Sequence, residues 1–431
     1  MVWRFTAVAL FGLASIAGPI AATSAAVLGT ALLWLSFTRP DLEASSGLTR
    51  VVAGALALTL VLAGSRLGSF GFPEPAGLAA VLWVAVAVAA AMLGAWPRPS
   101  LNVAGSVVAG ALITVLAAGT VTQYQGNLFG LDVYRSHEAA ADALAAGENP
   151  YTDAVKVLDG SPNAEDGAVV EGYAYPPVTL VVFSLGDWLG GDPRWAAALA
   201  IILGIVIGAR ASSTRSLGVL AVVILAATPT LRWTVWSGST EPWTFALLVS
   251  AVTLWRRPTV SGVVLGLALA TKQYLVVLVP LMLLLDQRPW KRSGVAVSLA
   301  GLTLLPAFLA DPEAFWFTMV ERPLSLGFRP DTQSVSGALN QLGWRVDVPS
   351  IVMIAGVLVV SWAFARSVGS ATPAAFLGGC AVVLSTTFLL SLAFTNYWWL
   401  VQWLAAAATM LSVTELQEER VAEPLSPRGA V

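Results

Sequence analysis

Apolar runs of roughly 20 residues, the length that crosses a bilayer as a helix, alternate with short polar breaks along most of this chain. Runs near Leu48–Gly64, Pro75–Trp96 and Leu101–Gly119 lead to the longest polar interval, which opens at Asp132 and closes at Pro177. Beyond it the pattern predicts helices near Trp195–Gly208, Ser216–Thr228, Pro242–Trp255, Val260–Ala270, Tyr274–Leu285 and Val295–Leu309. A second polar interval, Ala310 to Pro349, precedes three more near Ser350–Ala365, Pro373–Ala393 and Tyr397–Val413. The pattern describes an all-α polytopic membrane protein with about 13–14 transmembrane helices and two long loops. Four regions follow: N-terminal accessory helices over 1–119, a first long loop over 120–193, a transmembrane core over 194–413 that includes the second loop 310–349, and a tail over 414–431. That tail, with Pro424, Pro427 and Gly429, is expected to be disordered.

Two stretches are ambiguous by pattern alone. Phe5–Thr38 reads either as a signal peptide or as two short membrane helices joined near Gly18-Pro19, and the second apolar run that follows at once favours the helices. Pro176–Gly191 is apolar but short, so it is read as a helix on the outer surface. Counting it as a span would also move Arg256, Arg257 and the Arg288–Arg292 cluster to the other side, against the rule that Lys and Arg concentrate in cytoplasmic loops. With Arg4 inside, both long loops fall on the outer face of the cell membrane.

Composition narrows the chemistry. Charged residues make up 11% and hydrophobic ones 57%, against about 25% charged in soluble domains. A net charge of -2 without a basic run excludes a nucleic-acid partner. One cysteine, Cys380, and one histidine, His137, rule out a disulfide framework and a Cys- or His-based metal site. Catalysis must rest on carboxylates, Lys, Arg, Tyr and backbone.

In the first loop Arg135, Glu138 and Asp142 share one helical face, and Val133, Ala140, Ala141 and Leu144 the other, as in an amphipathic helix lying on the bilayer. Gly147 would end that helix and Asn149-Pro150 would begin a turn. Asp132, at its start, reads as a helix cap or as a carboxylate at the water boundary able to take a hydroxyl proton. His137 is read as a surface residue.

The order Asp132-x-Tyr134, Gly147-x-Asn149-Pro150-Tyr151, Tyr173-x-Tyr175-Pro176-Pro177 resembles the GT-C membrane glycosyltransferases, above all glycosyltransferase family 87, the polyprenyl-phosphate-mannose-dependent enzymes. The likeness runs from about Asn127 to Trp403. It implies a GT-C-like fold and an inverting, metal-free transfer of mannose from a polyprenyl-phosphate donor to a lipid or glycan acceptor among membrane lipids. Asp132 would be the general base. Tyr134, Tyr151 and Tyr175 of the same motifs would bind substrate. Thr271-Lys272-Gln273-Tyr274 resembles the family's lysine-bearing helix junction, and the segment around Arg329 its second outer loop, so Lys272 and Arg329 become the cations for the leaving phosphate.

Other residues keep two readings. Lys272 is also a snorkelling interfacial lysine, and Arg322 and Arg232 are interfacial anchors. Glu241 either binds sugar hydroxyls or merely starts a helix. Trp233, Trp236 and Trp243, and likewise Tyr397, Trp398 and Trp399, either stack on sugar or form an interfacial belt. The resemblance would place a histidine near Asn396, and this sequence has none there. The family also reaches its catalytic loop after one helix, whereas about five precede it here. An arabinofuranosyl or other GT-C transferase is the nearest alternative. A secondary transporter or membrane scaffold is the alternative of another class, although no internal repeat is visible. Neither the acceptor nor the oligomeric state is legible.

Overall fold

The computed structural model describes residues 19–38, 132–158, 169–211, 230–286, 288–325, 332–368, 371–391 and 393–422, together with Arg4, Ala7, Val8, Leu10, Phe11, Ala14 and Val121. The spans expected at Leu48–Gly64, Pro75–Trp96, Leu101–Gly119 and Ser216–Thr228 lie outside these residues, as do Arg329 and the side chain of Arg232.

The described chain is helical apart from one small hairpin. Its α-helices, in order, are α1 Pro19–Thr38, α2 Asp132–Ala145, α3 Pro177–Gly190, α4 Arg194–Ala211, α5 Thr230–Trp236, α6 Glu241–Thr253, α7 Pro258–Leu269 and α8 Val279–Leu285. They continue with α9 Val295–Ala310, α10 Pro312–Trp316, α11 Arg322–Ser325, α12 Val335–Gln341, α13 Ser350–Ser367, α14 Pro373–Leu390 and α15 Thr395–Ala422. Three helical stretches among the described residues are long and apolar enough to cross a membrane: Trp290–Ala310, Ser350–Ser367 and Pro373–Leu390. The first joins a π turn, Trp290–Gly294, to α9. The last, α14, is buried along nearly its whole length and is the central post, packing against α15, α13, α1 and α6. By contrast α9 and α13 expose Leu302, Leu305, Leu309, Ile351, Val359 and Trp362, the surface expected where lipid replaces protein.

Without a hydrophobic drive between helices in lipid, close backbone approach and interhelical hydrogen bonds hold such a bundle. Gly262 and Gly266 of α7 face the π turn and α9, where a Cβ on either would come within 2.6 or 2.7 Å of the Arg292 or Ala296 carbonyl oxygen. Thr30 Oγ1 of α1 lies 2.6 Å from Ser385 Oγ of α14. Arg4 donates to Ser36 Oγ and to the Ser36 carbonyl, tying the chain start to the far end of α1.

Several sequence expectations are corrected. The last helix runs past Val413 to Ala422, so the start of the expected tail is helical. Trp398 and Trp399 form no interfacial belt: both are fully buried, Trp398 stacking on Phe11 and Trp399 packing against Phe245 and Trp403. Nor does α2 lie apolar-face-down on the bilayer. Its Ala140 and Ala143 join Tyr151, Val155, Tyr173, Leu180, Phe315 and Met319 in a compact cluster. That cluster brings the first polar interval against the second, at one end of the bundle.

Candidate active site

The site is built where α2, the turn before α3 and the break between α7 and α8 meet. Asp132 opens α2 half-buried, and its Oδ1 accepts the Val133 N–H at 2.9 Å. That bond to the adjacent residue holds the carboxylate at the start of the helix. On the inner face of α2 the single histidine is fully buried, so its reading as a surface residue was wrong. The His137 ring stacks on Phe183 at 3.9 Å. Its Nε2 lies 3.0 Å from the Gly238 carbonyl, which can only accept, so Nε2 donates and Nδ1 takes the Tyr173 hydroxyl proton at 2.8 Å. Burial holds this imidazole well below its usual range, down to about 3, and the ring is neutral.

Backbone bonds then fold the sequence motifs together. Gly147, at φ 77°, closes α2 with the paired bonds of a Schellman end, Gly147 N–H to Leu144 and Glu148 N–H to Ala143. Asn149 Oδ1 accepts the Tyr151 N–H. The Tyr173 N–H reaches the Pro150 carbonyl, and the Tyr151 hydroxyl reaches the Tyr175 carbonyl at 3.0 Å. Between them, strands β1 Lys156–Leu158 and β2 Val169–Glu171 pair antiparallel, Lys156 opposite Glu171. Strands of this length leave no readable alternation, and the hairpin was not expected from the sequence.

The second wall comes from the tip of the α7–α8 hairpin. Lys272, extended at φ -154°, separates α7 from the 3-10 turn Gln273–Leu278. Three bonds fasten this tip. The Thr179 hydroxyl donates to the Thr271 carbonyl, the Thr271 and Thr244 hydroxyls lie 2.8 Å apart, and Gln273 Nε2 donates to the Ala174 carbonyl. Lys272 Nζ thereby sits 2.8 Å from Glu241 Oε1, with side chains only 7% and 0% exposed. The Tyr274 hydroxyl donates to the same Oε1 at 3.2 Å. Three rings surround the ammonium, with centroids at 5.0 Å for Tyr397, 5.1 Å for Tyr175 and 5.6 Å for Tyr274, within cation–π range. Glu241 Oε2 is buried and has no partner among the described residues. A carboxylate offers about four lone-pair sites, so one oxygen is left ready for a donor.

Tyr175 links the two walls. Burial pushes its phenol well up, Lys272 opposes that shift, and Asp132, Tyr397 and Glu241 add to it. One phenol thus feels Asp132 from α2 and the ion pair from the α7–α8 tip.

The other candidates fall elsewhere. Tyr134 is buried under the Arg194 guanidinium, 4.6 Å from its ring centre, and burial together with Asp192 pushes its phenol up to about 12. Tyr151 is enclosed by Tyr173 and Phe315. Trp233 and Trp236 contact each other at 4.9 Å, and Arg322 donates to the Glu171 carbonyl. Tyr397 was missed as a neighbour of Lys272. Its only signal was its place after Asn396, at the start of an apolar run. Among the described residues no group of three His, Cys, Asp or Glu is placed to hold a metal ion.

Comparison with known proteins gives two matches. In the crystal structure of ArnT from Cupriavidus metallidurans in the apo state, the similarity has a TM-score of 0.45 at 18% identity, over 73% of this chain and 61% of that one. The chain thus spans less than two thirds of that solved protein's length. No curated protein matches. The family model for glycosyltransferase family 87 matches residues 173–391, which begin at Tyr173 and take in Glu241, Lys272 and Arg329. That match covers half of the chain, and the chain belongs to glycosyltransferase family 87.

Proposed function

We propose that this chain moves mannose from a polyprenyl-phosphate donor to a hydroxyl of a lipid or glycan acceptor, as GT-C enzymes do, with inversion at the anomeric carbon. The acceptor oxygen forms the new bond to that carbon as the bond to the phosphate oxygen breaks. Asp132 takes the acceptor proton, and polyprenyl phosphate leaves as the anion. General-base assistance of this kind contributes typically 10²–10⁴-fold. The ammonium of Lys272 has three donors and spends one on Glu241. With Arg329 of the second loop it supplies positive charge for the departing phosphate. Glu241 Oε2 receives a sugar hydroxyl. Tyr175 lines the site between them, while Tyr134 and Tyr151 position α2 and the Tyr175 turn.

The observation that carries this reading is the buried Glu241–Lys272 pair with one bare carboxylate oxygen, set beside a tyrosine that also feels Asp132. A buried charge left half-satisfied is costly, and a polar ligand removes that cost.

The same reading puts the site on the extracytoplasmic face of the cell membrane. Arg256, Arg257, Arg288, Lys291 and Arg292 gather at the opposite ends of α6 and α7, as the concentration of basic residues on the cytoplasmic side requires. With Asp153→Cys on the exposed turn before β1, a membrane-impermeant thiol reagent is expected to label from outside, and labelling only from the cytoplasm would reverse the orientation. Purified protein offered radiolabelled prenyl-phosphate mannose, glucose and arabinose is expected to transfer mannose. Transfer of arabinose alone would move the assignment to an arabinosyltransferase, and transfer of none would remove it.

A further inference from the structure

At the far ends of α6 and α7 from Glu241 and Lys272, about 20 Å along the helices, lies a second polar place that the transfer chemistry does not use. It is a cleft of about 260 Å³ lined chiefly by Trp255, Arg256, Asp286, Arg288, Arg292 and Ala371. Three guanidinium groups share it with one carboxylate.

Asp286 is already engaged. Its Oδ1 accepts from Arg292 Nη1 at 3.0 Å and from the Arg288 N–H at 2.9 Å, and its Oδ2 faces the Ser293 hydroxyl at 3.4 Å. Arg292 is held rigidly: Nη2 donates to the Trp255 carbonyl at 2.7 Å, and the guanidinium lies 3.5 Å above the Trp255 ring centre. With its side chain 8% exposed, its Nε–H is nevertheless buried without a partner among the described residues. A buried donor left without an acceptor is costly, so an acceptor completes the site. Its level in the bilayer follows from Trp290, 85% exposed at the start of the candidate span Trp290–Ala310, in the place where indoles mark the headgroup region.

We propose that this cleft binds a phosphate group, with Arg292 as its preorganised floor and Arg256 and Arg288 as its exposed clamps. Arginine forks match phosphate oxygens in pairs. The group can arrive on an anionic phospholipid or as free phosphate, and either binds independently of the transfer site.

The test uses the delipidated full chain in detergent, titrated with phosphatidylglycerol and, as a control without phosphate, with diacylglycerol, bound lipid being counted by native mass spectrometry. Inorganic phosphate is added as a competitor and also titrated alone by thermal shift. The wild type is expected to bind phosphatidylglycerol and not diacylglycerol. In Arg256→Gln/Arg288→Gln, which leaves the buried Arg292–Asp286 pair intact, binding is expected to weaken about tenfold, the equivalent of roughly 1.4 kcal/mol. Phosphatidylglycerol binding that phosphate does not displace identifies a lipid headgroup site. Saturable phosphate binding that the double variant weakens identifies a free-anion site. Binding of neither ligand, or binding unchanged in the double variant, overturns the proposal.

Discussion

Two buried ion pairs a few helices apart do different things with the same chemistry. Asp192 and Arg194, at the corner between α3 and α4, are two residues apart, and both side chains are almost fully buried. Asp192 spends both of its oxygens on Arg194: Oδ1 accepts the Arg194 N–H and Nε–H, and Oδ2 accepts Nε–H and Nη2–H. Arg194 also caps the Tyr134 ring and so fixes α2. Lys272 and Glu241 instead join two helices across 31 residues, through a single bond, with three phenol rings around the ammonium and Oε2 left buried without a partner among the described residues. A pair whose lone pairs are all used has nothing to offer a ligand. A pair with one buried oxygen unused is incomplete as structure and suited to binding.

Breaking either pair by removing one partner is expected to be costly, by about 3–5 kcal/mol. Lys272→Met, Glu241→Gln, Asp192→Asn and Arg194→Met should each lower the unfolding midpoint of the purified protein. Equal losses at both places would show only that both are buried; the apolar double variants separate them. Asp192→Leu/Arg194→Met is expected to recover stability and keep sugar transfer. Lys272→Met/Glu241→Leu is expected to recover stability and lose transfer by on the order of 10²–10³-fold, the loss typical of removing one preorganised polar contact in a reaction site. If both doubles keep full activity, the comparison fails.

His137 tests the packing that the Asp192–Arg194 corner supports. Its folded value is about 3 against 6.5 for the free group, so the fold excludes a proton that the unfolded chain binds between those values. The contribution of this group to stability is therefore level above pH 6.5 and declines below it, by up to about 1.4 kcal/mol per pH unit. His137→Gln is expected to flatten the midpoint-against-pH curve in that window, and an unchanged slope would place the acid sensitivity elsewhere. Smallest is Gly238→Ala. Gly238 holds φ 67° and presents its carbonyl to His137, and a side chain there costs about 1–2 kcal/mol. Its unfolding midpoint should fall by less than that of any single ion-pair variant.

Much of the architecture was legible because hydropathy has one dominant period here. The long helices from Trp195 onward were found to within a few residues among the described ones, apart from the end of α15, which runs past Val413 to Ala422, and Gly147, Asn149 and the Pro176-Pro177 start of α3 carried readable end signals. Lys272 and Glu241 stood out as charges at the ends of apolar runs. Their bond did not, because it joins residues far apart in sequence. Periodicity assigned α2 two faces and grouped Ala140 and Ala141, both buried, on the apolar one, but it could not distinguish a lipid surface from Tyr173 and Phe315. Neither could it foresee that His137, on the buried side, would be held by Tyr173 and Gly238. Trp398 and Trp399 were misread for a related reason: hydropathy does not separate a core tryptophan from an interfacial one. Of the N-terminal accessory region α1 is described, while the spans expected at Leu48–Gly64, Pro75–Trp96 and Leu101–Gly119, and Arg329, lie outside the described residues.

The central claim is that Asp132 takes the acceptor proton beside the Glu241–Lys272 pair. Its most direct test is single-turnover transfer of radiolabelled mannose from polyprenyl phosphate by purified Asp132→Asn protein, with donor binding measured in parallel. The account predicts a rate lower by on the order of 10²–10⁴-fold with donor affinity and unfolding midpoint unchanged. A rate equal to that of the unsubstituted chain would contradict it.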